Sequence, residues 1–117
     1  MIKTHSNTKM KITLKIQPEL LFLLHILVLE CSQRISMLDF KNKAKKSMLH
    51  EIFETLARSC VTYHANPNGK PRKLTLRYHL ANQLYEMLIE QINNPKLGIY
   101  ERNKLDLFKN DLHRLLL

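Results

Sequence analysis

The chain is poor in the residues from which catalytic and metal sites are usually read. Of its 117 residues only two are cysteine, Cys31 and Cys60, and only two are glycine, Gly69 and Gly98. Each cysteine ends a helix-like stretch and no C-x2-C accompanies either. Both are therefore expected to be small buried hydrophobes kept reduced, not a disulfide or a redox pair. The scarcity of glycine leaves no phosphate-cradling loop, and neither a G-x-S-x-G elbow nor an H-E-x-x-H helix is present. Six histidines (His5, His25, His50, His64, His79 and His113) show no H-x3-H spacing, so no metal is expected. His50 and Glu54, one helical turn apart, read as a solvated face. Among the ten carboxylates, Glu51 with Glu54 and Glu86 with Glu90 lie on the polar edges of amphipathic stripes. No nucleophile is set beside a base, and the sequence predicts neither an enzyme nor a cofactor. Long apolar runs are lacking too. The stretch from Leu20 to Leu29, interrupted by His25, is about half the roughly 20 residues that span a bilayer, and it is placed too far inside the chain for a secretory signal. A cytoplasmic protein is the expectation.

What is present is a short alternating segment that occurs twice, KITLKI at 11–16 and KLTLRY at 73–78. Alternation at period two marks a half-buried strand. Ile12, Leu14 and Ile16 should face the core, with Lys11, Thr13 and Lys15 outward; Leu74, Leu76 and Tyr78 then repeat the inner face and Lys73, Thr75 and Arg77 the outer one. A two-stranded ribbon is marginal in water and needs helices on its apolar face. After the first segment Pro18 suits the first helical position and Glu19 the positive end of the helix dipole, which carries a helix to about Ser32. A second helix is expected to open with Ser36 as N-cap and Asp39 three residues on, with Met48, Leu49, Ile52, Phe53, Leu56 and Cys60 on one face. The second half repeats the order: Leu80, Leu84, Met87, Leu88 and Ile92 form one stripe, Asn94, Pro95 and Gly98 interrupt it, and Leu105, Phe108, Leu112 and Leu115 form another.

The expected fold is therefore mainly α with a two-stranded antiparallel β-ribbon, made from duplicated strand-helix-helix units that share one core. The boundaries are 10–61 for the first unit, 62–72 for a hinge and 73–117 for the second, all within a single domain 1–117. The hinge falls in HANPNGKPRK, which holds one of the two glycines and two of the four prolines.

Charge gives the functional direction. The formal balance is +9, with a calculated pI near 9.8. The basic residues gather in three places: Lys3, Lys9, Lys11 and Lys15; Lys41, Lys43, Lys45 and Lys46; and Lys70, Arg72, Lys73 and Arg77. Two of the three coincide with the proposed strands, so pairing those strands would merge them into one positive surface suited to a polyanion.

With strand, helix and charge in this order, the chain resembles the ribbon-helix-helix family of DNA-binding proteins. The resemblance is carried by KITLKIQPEL at 11–20 and by KLTLRYHLANQL at 73–84. It implies a single-chain version in which the two halves replace the two subunits of a dimer, with a partner in double-stranded DNA. By position it implies that Lys11, Thr13, Lys15, Lys73, Thr75 and Arg77 face the major groove. There Lys and Arg donate to guanine, and Thr offers a hydroxyl and a methyl. It also implies phosphate contacts at the start of each second helix, from Ser36, Lys41, Lys43, Lys45 and Lys46 in one half and Lys96 in the other. A transcriptional regulator or a mobile-element accessory factor is the function expected. The alternative is a non-catalytic helical interaction scaffold of the same architecture, with a homo-oligomer contact through the apolar helix 20–29 or an exposed patch at Leu115 to Leu117.

Overall fold

A computed structural model describes residues 10–35 and 40–117, with the backbone alone at 40 and 41. The elements follow as β1 (Lys11–Ile16), α1 (Pro18–Arg34), α2 (Phe40–Ala65), β2 (Arg72–Arg77), α3 (Tyr78–Gln91) and α4 (Ile99–Leu116). The protein is thus mainly helical with one two-stranded antiparallel sheet. No helix among the described residues is long and apolar enough to cross a membrane. Two compact units are formed, one of residues 15–72, the other of the strand residues up to Leu14 together with 73–117.

In the unit 15–72, α1 and α2 pack on one another. Pro18 occupies the first turn of α1, where its missing N–H costs nothing, and Glu19 meets the positive helix end. The helix runs to Arg34, two residues beyond the expected Ser32. It buries Leu20, Leu21, Leu24, Leu27, Val28 and Ser32. Along α2 the buried positions are Leu49, Ile52, Leu56 and Cys60, with Met48 and Phe53 half-buried at their edge. Truncating one of the fully buried leucines to alanine typically costs about 2–5 kcal/mol, so this stripe is what holds the pair. Rings seal the seam. His25 stacks on Phe53 at 4.6 Å, His64 stacks on Phe22 at 4.9 Å, and Tyr63 meets Phe22 edge-on at 5.8 Å.

The expected hinge is shorter than 62–72 in the structure, because α2 continues through Ala65 and β2 begins at Arg72. The turn between them is closed from within the same unit. The Gly69 N–H donates to the Tyr63 hydroxyl (2.8 Å) with Gly69 at φ 73°, and Arg72 Nε donates to Ser59 Oγ (3.4 Å). Ser36 and Asp39, the expected start of the second helix, lie outside the described residues.

The other unit holds α3 and α4, which pack on one another, and the strand residues up to Leu14 and from Lys73. The Tyr78 N–H donates to the Met10 carbonyl (2.8 Å), and Thr13 Oγ1 lies 2.9 Å from Thr75 Oγ1. These two contacts fix an antiparallel register in which Lys11 stands opposite Arg77, Ile12 opposite Leu76 and Leu14 opposite Leu74. Ile12, Leu74 and Leu76 are buried and Leu14 is half-buried. Tyr78 was expected as the last inward strand residue; instead it opens α3, and its hydroxyl donates to the Leu116 carbonyl (2.7 Å). That bond ties the start of one helix to the end of the other. Leu80, Ala81, Leu84, Met87 and Leu88 line α3, and Leu105, Phe108, Leu112 and Leu116 line α4. Leu115, expected in that stripe, is 44% exposed, because the four-residue step from Leu112 brings Leu116 onto the core face. Between the helices Arg102 Nη2 donates to the carbonyls of Asn94 (3.3 Å) and Leu97 (3.4 Å) and holds the turn.

The buried positions recur between the two halves of the chain. Leu20, Leu21, Leu24, Leu27 and Val28 have the same spacing as Leu80, Ala81, Leu84, Met87 and Leu88. Leu49, Ile52, Leu56 and Cys60 have the same spacing as Leu105, Phe108, Leu112 and Leu116.

Candidate nucleic-acid interface

The outer face of the ribbon is the feature that the alternation predicts. Lys11, Thr13 and Lys15 are all exposed along β1, as are Lys73, Thr75 and Arg77 along β2. Neither strand contains a carboxylate. The face is therefore cationic by composition, and burial of the alternate residues holds it outward: a one-residue slip would turn every basic side chain into the core. At its centre one threonine hydroxyl donates to the other, so the pair keeps one hydroxyl hydrogen, its remaining lone pairs and two methyl groups facing out. Cationic ends around a small hydrogen-bonding centre can engage phosphates and base edges in a groove that admits a two-stranded ribbon.

The other predicted basic residues are distributed differently. Lys3 and Lys9 lie outside the described residues, as do Ser36 and the side chain of Lys41. Lys43 is exposed and Lys45 half-buried in the first turns of α2. Lys46 is occupied within the fold, because its ammonium donates to the Ser32 carbonyl (2.6 Å) and reaches the Ile35 carbonyl (3.5 Å). It thereby caps the C-terminal end of α1, where a cation complements the dipole. Arg72, counted in the third basic cluster, is half-buried against Ser59 and is not part of the outer ribbon face. Lys96 is exposed in the turn before α4, where its N–H donates to Asn94 Oδ1 (2.9 Å) and Gly98 is an N-cap without a side-chain partner.

Sequence reasoning missed the threonine pair, the Lys46 cap and the tyrosine tether between α3 and α4. The first was accessible in principle. Equivalent threonines of two antiparallel copies meet when the register is centred on them, as it is here. The other two depend on helix placement, which spacing alone does not give.

Remaining reactive groups are embedded in the packing. Cys31 and Cys60 are free thiols, and burial pushes the Cys60 thiol above its ordinary range, the reverse of an activated nucleophile. His50 Nε2 lies 3.7 Å from Glu54 Oε1 on an exposed helix face. Among the described residues no group of three or more His, Cys, Asp or Glu side chains is arranged to hold a metal ion.

The apolar stretch 20–29 offers little contact surface, since of its apolar residues only Ile26 is largely exposed. Exposed apolar side chains gather instead on α4 and its end, at Ile99, Tyr100, Leu107, Leu115 and Leu117. Comparison of the chain with protein-family models, with curated proteins and with solved structures finds no match.

Proposed function

We propose that the protein binds double-stranded DNA with the outer face of its β-ribbon in the major groove, as a tandem ribbon-helix-helix protein within one chain. The observation that carries this reading is the ribbon itself. An antiparallel pair of strands exposes Lys11, Thr13, Lys15, Lys73, Thr75 and Arg77 while burying the apolar residues between them. The matched spacing of buried residues in α1 and α3, and again in α2 and α4, supports a duplicated strand-helix-helix unit. Lys96, ahead of the start of α4, is a candidate phosphate contact. Lys43 and Lys45 stand in the first turns of α2, and the ammonium of Lys46 is held by the Ser32 carbonyl at the end of α1. The protein acts without catalysis or cofactor, in the cytoplasm, as a transcriptional regulator or an accessory factor of a mobile element.

Titration against random-sequence duplex DNA at 50 and 200 mM salt tests this. Each neutralised phosphate adds about 0.9 to the slope of log affinity against log salt. Replacing Lys11, Lys15, Lys73 and Arg77 together with alanine should abolish tight binding and flatten that slope by at most roughly 3–4, according to how many of the four neutralise a phosphate as well as meeting a base. Absence of wild-type binding at low salt refutes the reading. A second reading, a protein-interaction module, is favoured by the exposed Ile99, Tyr100 and Leu107 of α4. In that case the ribbon substitutions leave partner binding unchanged.

A further inference from the structure

The ribbon carries an internal near-symmetry whose breakdown bears on what it reads. Aligning KITLKI with KLTLRY makes Lys11 equivalent to Lys73, Thr13 to Thr75 and Lys15 to Arg77. The register makes Thr13 and Thr75 direct neighbours across the strands, hydroxyl to hydroxyl at 2.9 Å. They are thus both equivalent and opposite, and a local two-fold axis of the ribbon passes between them. On the outer face two of the three equivalent pairs are identical. The third sets a lysine against an arginine.

That single difference is large in chemical terms. Arginine presents a planar fork of donors that fits O6 and N7 of one guanine together, whereas lysine presents a compact charge with no fixed direction. Identical residues around a two-fold axis favour a palindrome, since each half of the protein meets the same base pattern. We propose that the site read by this ribbon is directional instead, with a guanine fixed by Arg77 on one side of the centre and no equivalent requirement on the side served by Lys15. One of the two threonine hydroxyl hydrogens is shared between them, with either residue as donor, so the central step meets one donor and not two. A single chain with unlike halves then binds its site in one orientation, which a dimer of identical subunits cannot do. This proposal rests on the DNA-binding reading above and deepens it by naming the form of the target.

The test is selection from a pool of randomised duplex DNA with the full chain, in parallel with Arg77→Lys and Lys15→Arg. Both substitutions preserve charge, so the readout is the base preference at one motif position, taken relative to each variant's own random-sequence affinity. Thermal melts confirm that each variant is folded. The wild type should enrich a motif with a guanine on one side of its centre only, preferred by roughly 5- to 150-fold over other bases there. Arg77→Lys should erase that preference, and Lys15→Arg should add a matching guanine on the other side to give a palindrome. A palindromic wild-type motif, a motif untouched by Arg77→Lys, or duplex binding without base preference overturns the directional site and leaves DNA binding standing. Failure to retain any duplex at low salt overturns both.

Discussion

Lys46 is the residue for which stability and ligand contact make opposite predictions. Its ammonium donates to the Ser32 carbonyl at 2.6 Å and sits 3.5 Å from the Ile35 carbonyl, at the end of α1 where the Ser32 carbonyl otherwise accepts a long bond from the Ile35 N–H (3.4 Å). Lys46→Met keeps the length of the stem and removes the donor. A hydrogen bond from a charged group is worth about 1.5–3 kcal/mol and the helix-end charge about 0.3–1 kcal/mol. The site is part-buried, so water recovers some of this and a net loss of about 1.5 kcal/mol is the working figure. The unfolding entropy of a chain this long is about 0.25 kcal/mol/K, so Tm should fall by about 6 °C. Lys96→Met, a change at an exposed turn, should shift Tm by no more than about 2 °C. Calorimetry or far-UV melting reads both. If Lys46→Met melts with the wild type while weakening duplex binding at every sequence, the cap is not what holds this side chain and a phosphate contact is restored to it.

Tyr78→Phe removes the hydroxyl that donates to the Leu116 carbonyl. It should cost about 1 kcal/mol and speed amide exchange in the last turn of α4 more than elsewhere, whereas uniform acceleration would deny the tether its local role. Arg77→Asp places a good N-cap at the start of α3 in place of a cation at the positive helix end. It should lose duplex binding while melting shows the chain still folded; retained binding would remove Arg77 from the interface.

Much of the fold is legible because period and burial are tightly linked in small amphipathic elements. The outward set on both strands needs only alternation, and the stripes of α1, α3 and most of α2 need only helical spacing. The misplacements lie at junctions. Tyr78 is aromatic and continues the alternation of β2, so only its role in starting α3 marks it as helical. Leu115, Leu116 and Leu117 are three identical residues, and their sequence alone does not say which completes the stripe; packing against the α3 side selects Leu116. The hinge was drawn too wide because Val61 to Ala65 is mostly exposed and poor in leucine, while Tyr63 and His64 hold it in the helix through ring contacts with Phe22. In the sequence Lys46 is one of four clustered lysines to which the resemblance gives phosphate contacts. Nothing in a run of basic residues marks the one whose ammonium is spent on a carbonyl fourteen residues earlier.

The junction between ribbon and helix is where function and stability compete most directly. In the first half Gln17 stands between the strand and α1, so the last outward strand residue, Lys15, is separated from the helix start. In the second half β2 runs straight into α3 and Arg77 is at once the last outward strand residue and the N-cap, with extended backbone angles and no side-chain capping hydrogen bond. An arginine is a poor choice for that second role. It cannot accept the orphan N–H groups, and its charge lies at the positive end of the dipole, so relative to Ser, Asp or Asn the position forgoes about 1 kcal/mol. Surface contacts of an exposed arginine return about 0–1 kcal/mol, which at most evens the account. The N-cap role therefore does not favour arginine over Ser, Asp or Asn at this junction, and a basic outward strand residue is what the proposed guanine contact requires.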